Sequence, residues 1–350
     1  MELKDRILGG LIGAAVGDAF GSVTETKTTE AIKQRYGRYV REFRKPPQDV
    51  FSRINDLGGV TDDFSLVYLE GKAFIEHDGD ISQKLFEDVL IEWSALPMFP
   101  FQSGPNSRDQ IRRLKGELTT DPKKHYIARS DLYTNGTAMK ASPIGMINPG
   151  DLDRTIEETI MMCMPTHPAT VAISGGCAVS CAVAEAMTEN ATKASIIDAG
   201  LYGAHWGFER SKKVAYPSSG ARMERRIQMA VDIAMKYGHD YDKFLYEMAS
   251  VVGTGFGCAE SAAAMFGFFL AARDPMDLIL MGVNAGADAD SVATIGGALY
   301  GVMSGASAFD PRYLGIINKN NYWDPNNTKN YDVEKIAEGM AAIAERRMQK

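Results

Sequence analysis

Glycine recurs at every fourth residue in two stretches of the chain: Gly9, Gly13, Gly17 and Gly21 near the start, and Gly297, Gly301 and Gly305 near the end. Both stretches carry apolar residues at helical spacing. An interior glycine costs a helix about 1 kcal/mol relative to alanine, so a repeated one needs an offset. Close approach of two packed backbones supplies it. In lipid the same spacing marks paired membrane helices. Here charges lie nearby, and no apolar segment reaches the roughly 18 uncharged residues that a span needs. The stripes therefore predict a tight helical core in a soluble protein.

Helical periodicity runs through most of the sequence. It predicts helices at about 4–18, 62–77, 82–95, 168–188, 192–209, 221–237, 257–272, 289–304 and 332–348. Segments rich in Pro, Gly, Asn and charge at 24–60, 97–108, 117–151 and 305–330 read as loops. Alternating strand patterns are scarce. With 45% hydrophobic and 24% charged residues, the chain is neither disordered, nor a coiled coil, nor collagen-like. No shift in composition divides it, so its 350 residues are expected to form a single compact all-α domain.

The run Ile7–Val16 is apolar and near the N-terminus, but the preceding segment has balanced charge and the run leads through Gly17 into Asp18, unlike a signal peptide. The four cysteines, Cys163, Cys177, Cys181 and Cys258, form no Cys-x-x-Cys pair. They imply apolar packing in a reduced, cytoplasmic protein rather than a thiolate metal site or a disulfide framework. A net charge of −7 leaves no basic footprint for nucleic acid.

Chemistry is concentrated in acidic clusters. Gly59-Val-Thr-Asp-Asp63 and Gly286-Ala-Asp-Ala-Asp-Ser291 each place a hydroxyl beside two carboxylates at the start of an apolar helix. Either one alone also fits an ordinary helix start, with Thr61 as N-cap and acids favoured by the helix dipole. The pairing of acids in Gly- and Ala-rich surroundings fits equally a site for a hard cation. The second cluster is not a calcium loop, because the sixth position from Asp288 is Ala293 and the twelfth is Leu299. A third acidic element is Gly17-Asp-Ala-Phe-Gly-Ser-Val-Thr-Glu25.

Taken together, these segments resemble the ADP-ribosylglycohydrolase family, whose members include enzymes that remove ADP-ribose from arginine or serine side chains. The family's Gly-Asp-x-x-Gly-x-x-x-Glu pattern appears as Gly17, Asp18, Gly21 and Glu25, and its Thr-Asp-Asp as Thr61, Asp62 and Asp63. Its Asn-Gly-x-x-Met-Arg loop appears as Asn135-Gly-Thr-Ala-Met-Lys140, and its Thr-His region as Thr166-His-Pro168. Its Gly-Gly-Asp-x-Asp-Thr/Ser motif appears as Gly286-Ala-Asp-Ala-Asp-Ser291. The matches run in order from about residue 7 to 306. Phe64, Ala287 and Lys140 depart from the family's usual residues, and the resemblance places them at the rim of the cleft.

The resemblance implies an orthogonal helical bundle and a two-metal site. Thr61, Asp62, Asp63 and Asp290 would hold one metal; Glu25, Asp288, Asp290 and Ser291 would surround the other, with Asp290 bridging. The charges agree with that number. Two carboxylates about 5 Å apart repel by ~3 kcal/mol at an effective dielectric near 20, and two Mg²⁺ (or Mn²⁺) ions offset four of the five charges. Glu25 is then the candidate general acid or base for hydrolysis at the anomeric carbon of a ribose.

Backbone N–H groups of Asn135, Gly136 and Thr137 could meet a diphosphate, with Ser103 and Gly104 in a second candidate loop. Tyr133 is a candidate to stack on a base or ribose, and His167 to touch the substrate. The expected substrates are an ADP-ribosylated protein or a small ADP-ribose conjugate. A related nucleoside N-glycosidase is the next reading, and a non-catalytic crystallin-like protein the third.

Overall fold

The computed structural model describes residues 1–117 and 132–349, and the part of the expected 117–151 loop at 118–131 lies outside the described residues. Among the described residues the chain forms helices and no strand. In order these are α1 (Leu3–Gly21), α2 (Thr29–Tyr36), α3 (Asp62–Glu76), α4 (Gln83–Trp93), α5 (Phe99–Gln102), α6 (Pro105–Leu114), α7 (Ser142–Ile147), α8 (Leu152–Cys163) and α9 (Thr170–Ala186). Then follow α10 (Lys193–Ser211), α11 (Met223–Tyr237), α12 (Tyr241–Glu247), α13 (Cys258–Ala271), α14 (Pro275–Ala285), α15 (Ala289–Ser304), α16 (Pro311–Asn320) and α17 (Val333–Met348).

The expected all-α class is what the structure has, and all nine expected helices are present within a few residues of the expected bounds. The expected loops are less empty than their composition implies. They contain α2, α5, α7, α16 and the start of α6, while α8, α12 and α14 had not been anticipated. Most of these are short, and they start on caps rather than on long apolar stripes. Asp274 caps α14 by accepting the Asp277 N–H, Asp310 caps α16 by accepting the Arg312 N–H, each with proline at the first helical position, and Asp151 caps α8.

α1 and α15 form the most extensive helix pair. A side chain at Gly9 would strike Gly301, one at Gly13 would strike Gly297, one at Gly17 would strike Ala293, and one at Gly21 would strike Asp290. Rising numbers in α1 meet falling numbers in α15, so the two helices run antiparallel with backbones in contact. The glycine stripes thus do what their spacing predicted. The pair sits in a core cluster that draws on helices from α1 to α17. A second close pair is α9 on α10, where Cys177 packs against Gly203 and Gly207; all four cysteines are buried and unpaired.

The antiparallel pairing has a functional consequence. It brings the C-terminal end of α1 beside the N-terminal end of α15. The N-terminus of α3 joins them through Asp18, which accepts the backbone N–H groups of Thr61 and Phe64, each at 2.9 Å.

Candidate active site

Three helix ends meet at one cavity of about 540 Å³, within the usual range for small-molecule sites. Its acidic lining is Glu25, Asp62, Asp63, Asp288 and Asp290, all five of the carboxylates singled out by sequence. Oxygens of Glu25, Asp288 and Asp290 lie within 4.8 Å of one another.

Local structure fixes each acid. Glu25 follows α1 on a turn stitched to the segment before α15. There the N–H of Thr26 donates to the Ala287 carbonyl at 2.7 Å, and the N–H of Ala287 donates to the Lys27 carbonyl at 2.8 Å. The Thr24 hydroxyl adds a bond to the Val283 carbonyl at 2.7 Å. Thr26 and Ala287 both hold positive φ, +65° and +57°, a strained state for residues with a side chain. Asp62 and Asp63 occupy the first turn of α3, and Asp290 the first turn of α15. Asp288 accepts from the Asn135 side-chain amide, whose nitrogen also reaches Ser261 at 2.9 Å.

The electrostatics are those of crowded, dry anions. Burial, followed by Asp290 and then Asp288, pushes the Glu25 carboxyl up to about 11. Asp62, Asp63 and Asp288 are raised well above the carboxylate range, by burial first and Asp290 second. Asp18 rises to about 7 for the same two reasons. For each of these groups Asp290 is the strongest charge felt, which makes it the centre of the cluster. Asp290 itself rises to only about 6, because burial is opposed by the N–H of Ser291 and by Asp288.

Buried Asp63 Oδ2 and Asp290 Oδ1 have no hydrogen-bond partner. Buried polar atoms are rarely left so, and oxygen atoms of this kind are what a hard divalent cation takes. The residues present therefore fit a metal, with Glu25, Asp288 and Asp290 as one ready ligand set. Among the described lining residues the sole permanent cation is Arg108.

Ser103, Gly104, Asn135, Gly136, His167 and Ser291, named as candidates from the sequence, line the same cavity. A side chain on Gly136 would run into the His167 ring, so glycine there lets the imidazole lie flat against the loop. His167 bonds Thr134 at 2.8 Å and Thr166 at 2.9 Å, and burial takes its pKa down to about 3, so the ring is neutral.

Three expected site residues stand behind or beside the wall. Thr61 caps α3, its hydroxyl accepting the Asp63 N–H at 3.3 Å. Thr137 is fully buried and donates to the Ala172 carbonyl at 2.7 Å. Tyr133 is exposed and packs beside Gly257, outside the lining.

The expected rim residues need correction. Phe64 is buried in the core near Tyr331. Lys140 is buried near Glu70, whose carboxyl burial raises to about 8 while the same burial lowers Lys140. Ala287 lines the strained turn and not the cavity. The residues that do form the mouth include Phe51, Phe101, Phe256 and Arg108. A phenylalanine isolated in a loop has no periodicity to mark it, and Arg108 reads as a solvated helix face until its Nε is seen donating to Ser103 at 2.7 Å.

An all-α chain thus gathers carboxylates from three helix ends around one cavity. This chain belongs to the ADP-ribosylglycohydrolase family, whose sequence profile matches residues 1–349. It is 25% identical to YegU of Escherichia coli (strain K12) over 327 residues, 92% of this chain and 94% of that protein. A protein of Archaeoglobus fulgidus is 24% identical over 333 residues, 95% and 97% of the two chains. The ADP-ribosyl-[dinitrogen reductase] glycohydrolase of Rhodospirillum rubrum is 30% identical over 155 residues, 43% of this chain and 49% of that enzyme. A solved structure titled ADP-ribosylglycohydrolase-related protein complex superposes with a TM-score of 0.67 at 20% identity, covering 99% of both chains, which establishes the shared fold.

Proposed function

We propose that this protein hydrolyses the glycosidic bond at the anomeric carbon of ribose in an ADP-ribosyl conjugate, a protein side chain or a small molecule, using two Mg²⁺ ions (or Mn²⁺). The observation that carries this reading is the cluster centred on Asp290, with two buried oxygens lacking partners, in a chain of this family. Asp62, Asp63 and Asp290 would hold one ion, with Thr61 at its edge; Glu25, Asp288, Asp290 and Ser291 would hold the other. Bound divalent ions supply charge neutralisation, orientation of ribose hydroxyls and an acidified water.

The chain's own groups do the rest. Glu25, which lines the cavity among the other acids, would pass a proton to the departing atom and take one from the attacking water. Asn135 fixes Asp288 through its amide, and the Gly136 segment would run along the phosphates, backed by the neutral His167 ring that Thr134 and Thr166 hold in place. Backbone N–H groups of the segment around Gly136 would complete that polar side. The four unpaired, buried cysteines support a reducing, cytoplasmic setting, and the whole reaction fits a single domain spanning the chain.

The test is incubation with ADP-ribosyl-arginine and ADP-ribosyl-serine peptides, O-acetyl-ADP-ribose and nucleosides, with and without Mg²⁺, products being resolved by mass. Metal-dependent release of ADP-ribose from at least one conjugate is expected. Release of free ribose from nucleosides alone would move the protein to the N-glycosidase reading.

A further inference from the structure

Of the chain's 15 phenylalanines, three are exposed: Phe51 at 47%, Phe101 at 42% and Phe256 at 50%. All three line the acidic cavity, and they come from three separate segments. Exposed aromatic rings gathered at one mouth mark a surface built for a planar apolar partner.

The rings stand on two different walls. The Phe256 carbonyl accepts the Asn135 N–H at 3.0 Å, which puts Phe256 on the Asn135–His167 side. Phe51 belongs to the Glu25 side. Its neighbour Ser52 donates to the Ser22 carbonyl at 2.9 Å, and Lys27 donates to the Asp49 carbonyl at 2.9 Å, so segment 49–52 is clamped onto the turn that carries Glu25. Phe101 joins the same wall. The Arg53 guanidinium lies 5.8 Å from its ring centroid, and Gln102 donates to Asn55 at 2.8 Å. Arg108 lines the cavity from the same α5–α6 segment.

We infer that Phe51 and Phe101 form the leaving-group subsite, and that it selects a planar, uncharged aromatic leaving group over a guanidinium. This rests on the glycohydrolase reading above, in which the bond that breaks lies beside Glu25 and the acidic cluster. The group beside Glu25 is then the one that leaves. In that reaction the bond from C1″ to the leaving atom breaks, water adds its hydroxyl to C1″, and the remaining proton goes to the leaving group. Two aromatic faces suit a ring there. The Arg53 guanidinium already lies over the Phe101 ring and Arg108 lines the cavity beside it, so a second guanidinium meets like charge there.

Three ADP-ribosyl conjugates test this: 4-nitrophenyl ADP-riboside, an ADP-ribosyl-serine peptide and ADP-ribosyl-agmatine, which carries a guanidinium. For each, kcat/KM is measured on the wild type, Phe51→Ala, Phe101→Ala and Phe256→Ala. Affinity for free ADP-ribose is measured in parallel by calorimetry. Phe51→Ala and Phe101→Ala should each lower the aryl-to-serine ratio of kcat/KM about fivefold, with ADP-ribose affinity kept. Phe256→Ala should leave that ratio at its wild-type value, and the wild type should turn over the agmatine conjugate most slowly.

Equal losses on all three conjugates, or weaker ADP-ribose binding in Phe51→Ala and Phe101→Ala, would overturn the inference, because the rings would then hold another part of the substrate. A wild type that releases ADP-ribose from none of the three would instead defeat the glycohydrolase reading, and the inference with it.

Discussion

Replacing Gly21 by alanine separates packing from helix propensity. Propensity alone predicts a gain, since alanine is favoured over glycine in a helix by up to about 1 kcal/mol. The structure predicts a loss. A Cβ at Gly21 would lie 2.5 Å from the Ala289 carbonyl and from the Asp290 nitrogen, about 0.9 Å short of the 3.4 Å where ordinary contact begins. Both neighbours are backbone, so α1 and the start of α15 must part by most of that distance. Overpacking of this kind costs about 1–3 kcal/mol, giving a net loss of up to roughly 2 kcal/mol once propensity is set against it.

The displaced residue is Asp290, so function should suffer more than stability. A shift near 1 Å at a reacting centre costs on the order of 100-fold in rate. The control is Gly315→Ala in α16, where an added Cβ meets nothing within 4 Å and stability should rise. Urea unfolding of both variants gives the stabilities, and calorimetric titration with Mn²⁺ gives the state of the site. If Gly21→Ala is stabilised like Gly315→Ala and binds Mn²⁺ as the wild type does, the close-approach argument fails.

Four further outcomes are expected. Asp290→Asn should reduce activity more than Asp18→Asn at equal folded fraction, because Asp290 is the charge felt by all its neighbours while Asp18 is committed to the N–H groups of Thr61 and Phe64; equal rates in steady-state assays would deny Asp290 its central place. Glu25→Gln should lower kcat by about 10²–10⁴ across a Mg²⁺ titration, whereas full recovery at high Mg²⁺ would leave Glu25 as a ligand only. Arg347→Met should destabilise by about 2 kcal/mol, because it removes the buried guanidinium that Glu158 meets at 2.8 Å and leaves that carboxylate only Arg154 at 3.1 Å and the Asn148 amide at 2.7 Å; the double change Arg347→Met/Glu158→Gln should cost less in urea unfolding. His167 takes up no proton in the folded chain until about pH 3, against 6.5 for a solvated imidazole, so its contribution is intact above pH 6.5 and is lost as pH falls through that window. The slope is at most about 1.4 kcal/mol per pH unit, and His167→Gln should flatten it in urea midpoints measured from pH 7 to 4.

Much of this was legible because the informative signals are local. The fourfold glycine spacing specified both helices of the central pair, since a missing Cβ has one structural use at such regularity. Thr61 and the acids after it advertised a helix start that the structure keeps. The convergence of Glu25, Asp63 and Asp290 is a long-range fact, and it came from motif resemblance, not from any spacing in the chain. Phe51, Phe101 and Phe256 escaped because exposure is a property of the folded surface. Lys140 and Phe64 misled for the reverse reason: residues adjacent to site motifs on a helix or loop point the opposite way, into the core. The helices α8 and α14 were missed although Asp151 and Asp274-Pro275 are readable start signals.

The central claim is that Asp290 lies between two divalent cations that the acidic cluster exists to hold. Calorimetric titration of the purified chain with Mn²⁺ at neutral pH tests it most directly. The account predicts two ions per chain in the wild type, a loss of both high-affinity sites in Asp290→Asn, and retention of both in Asp18→Asn. No binding in the wild type, or two sites unaltered by Asp290→Asn, would contradict it.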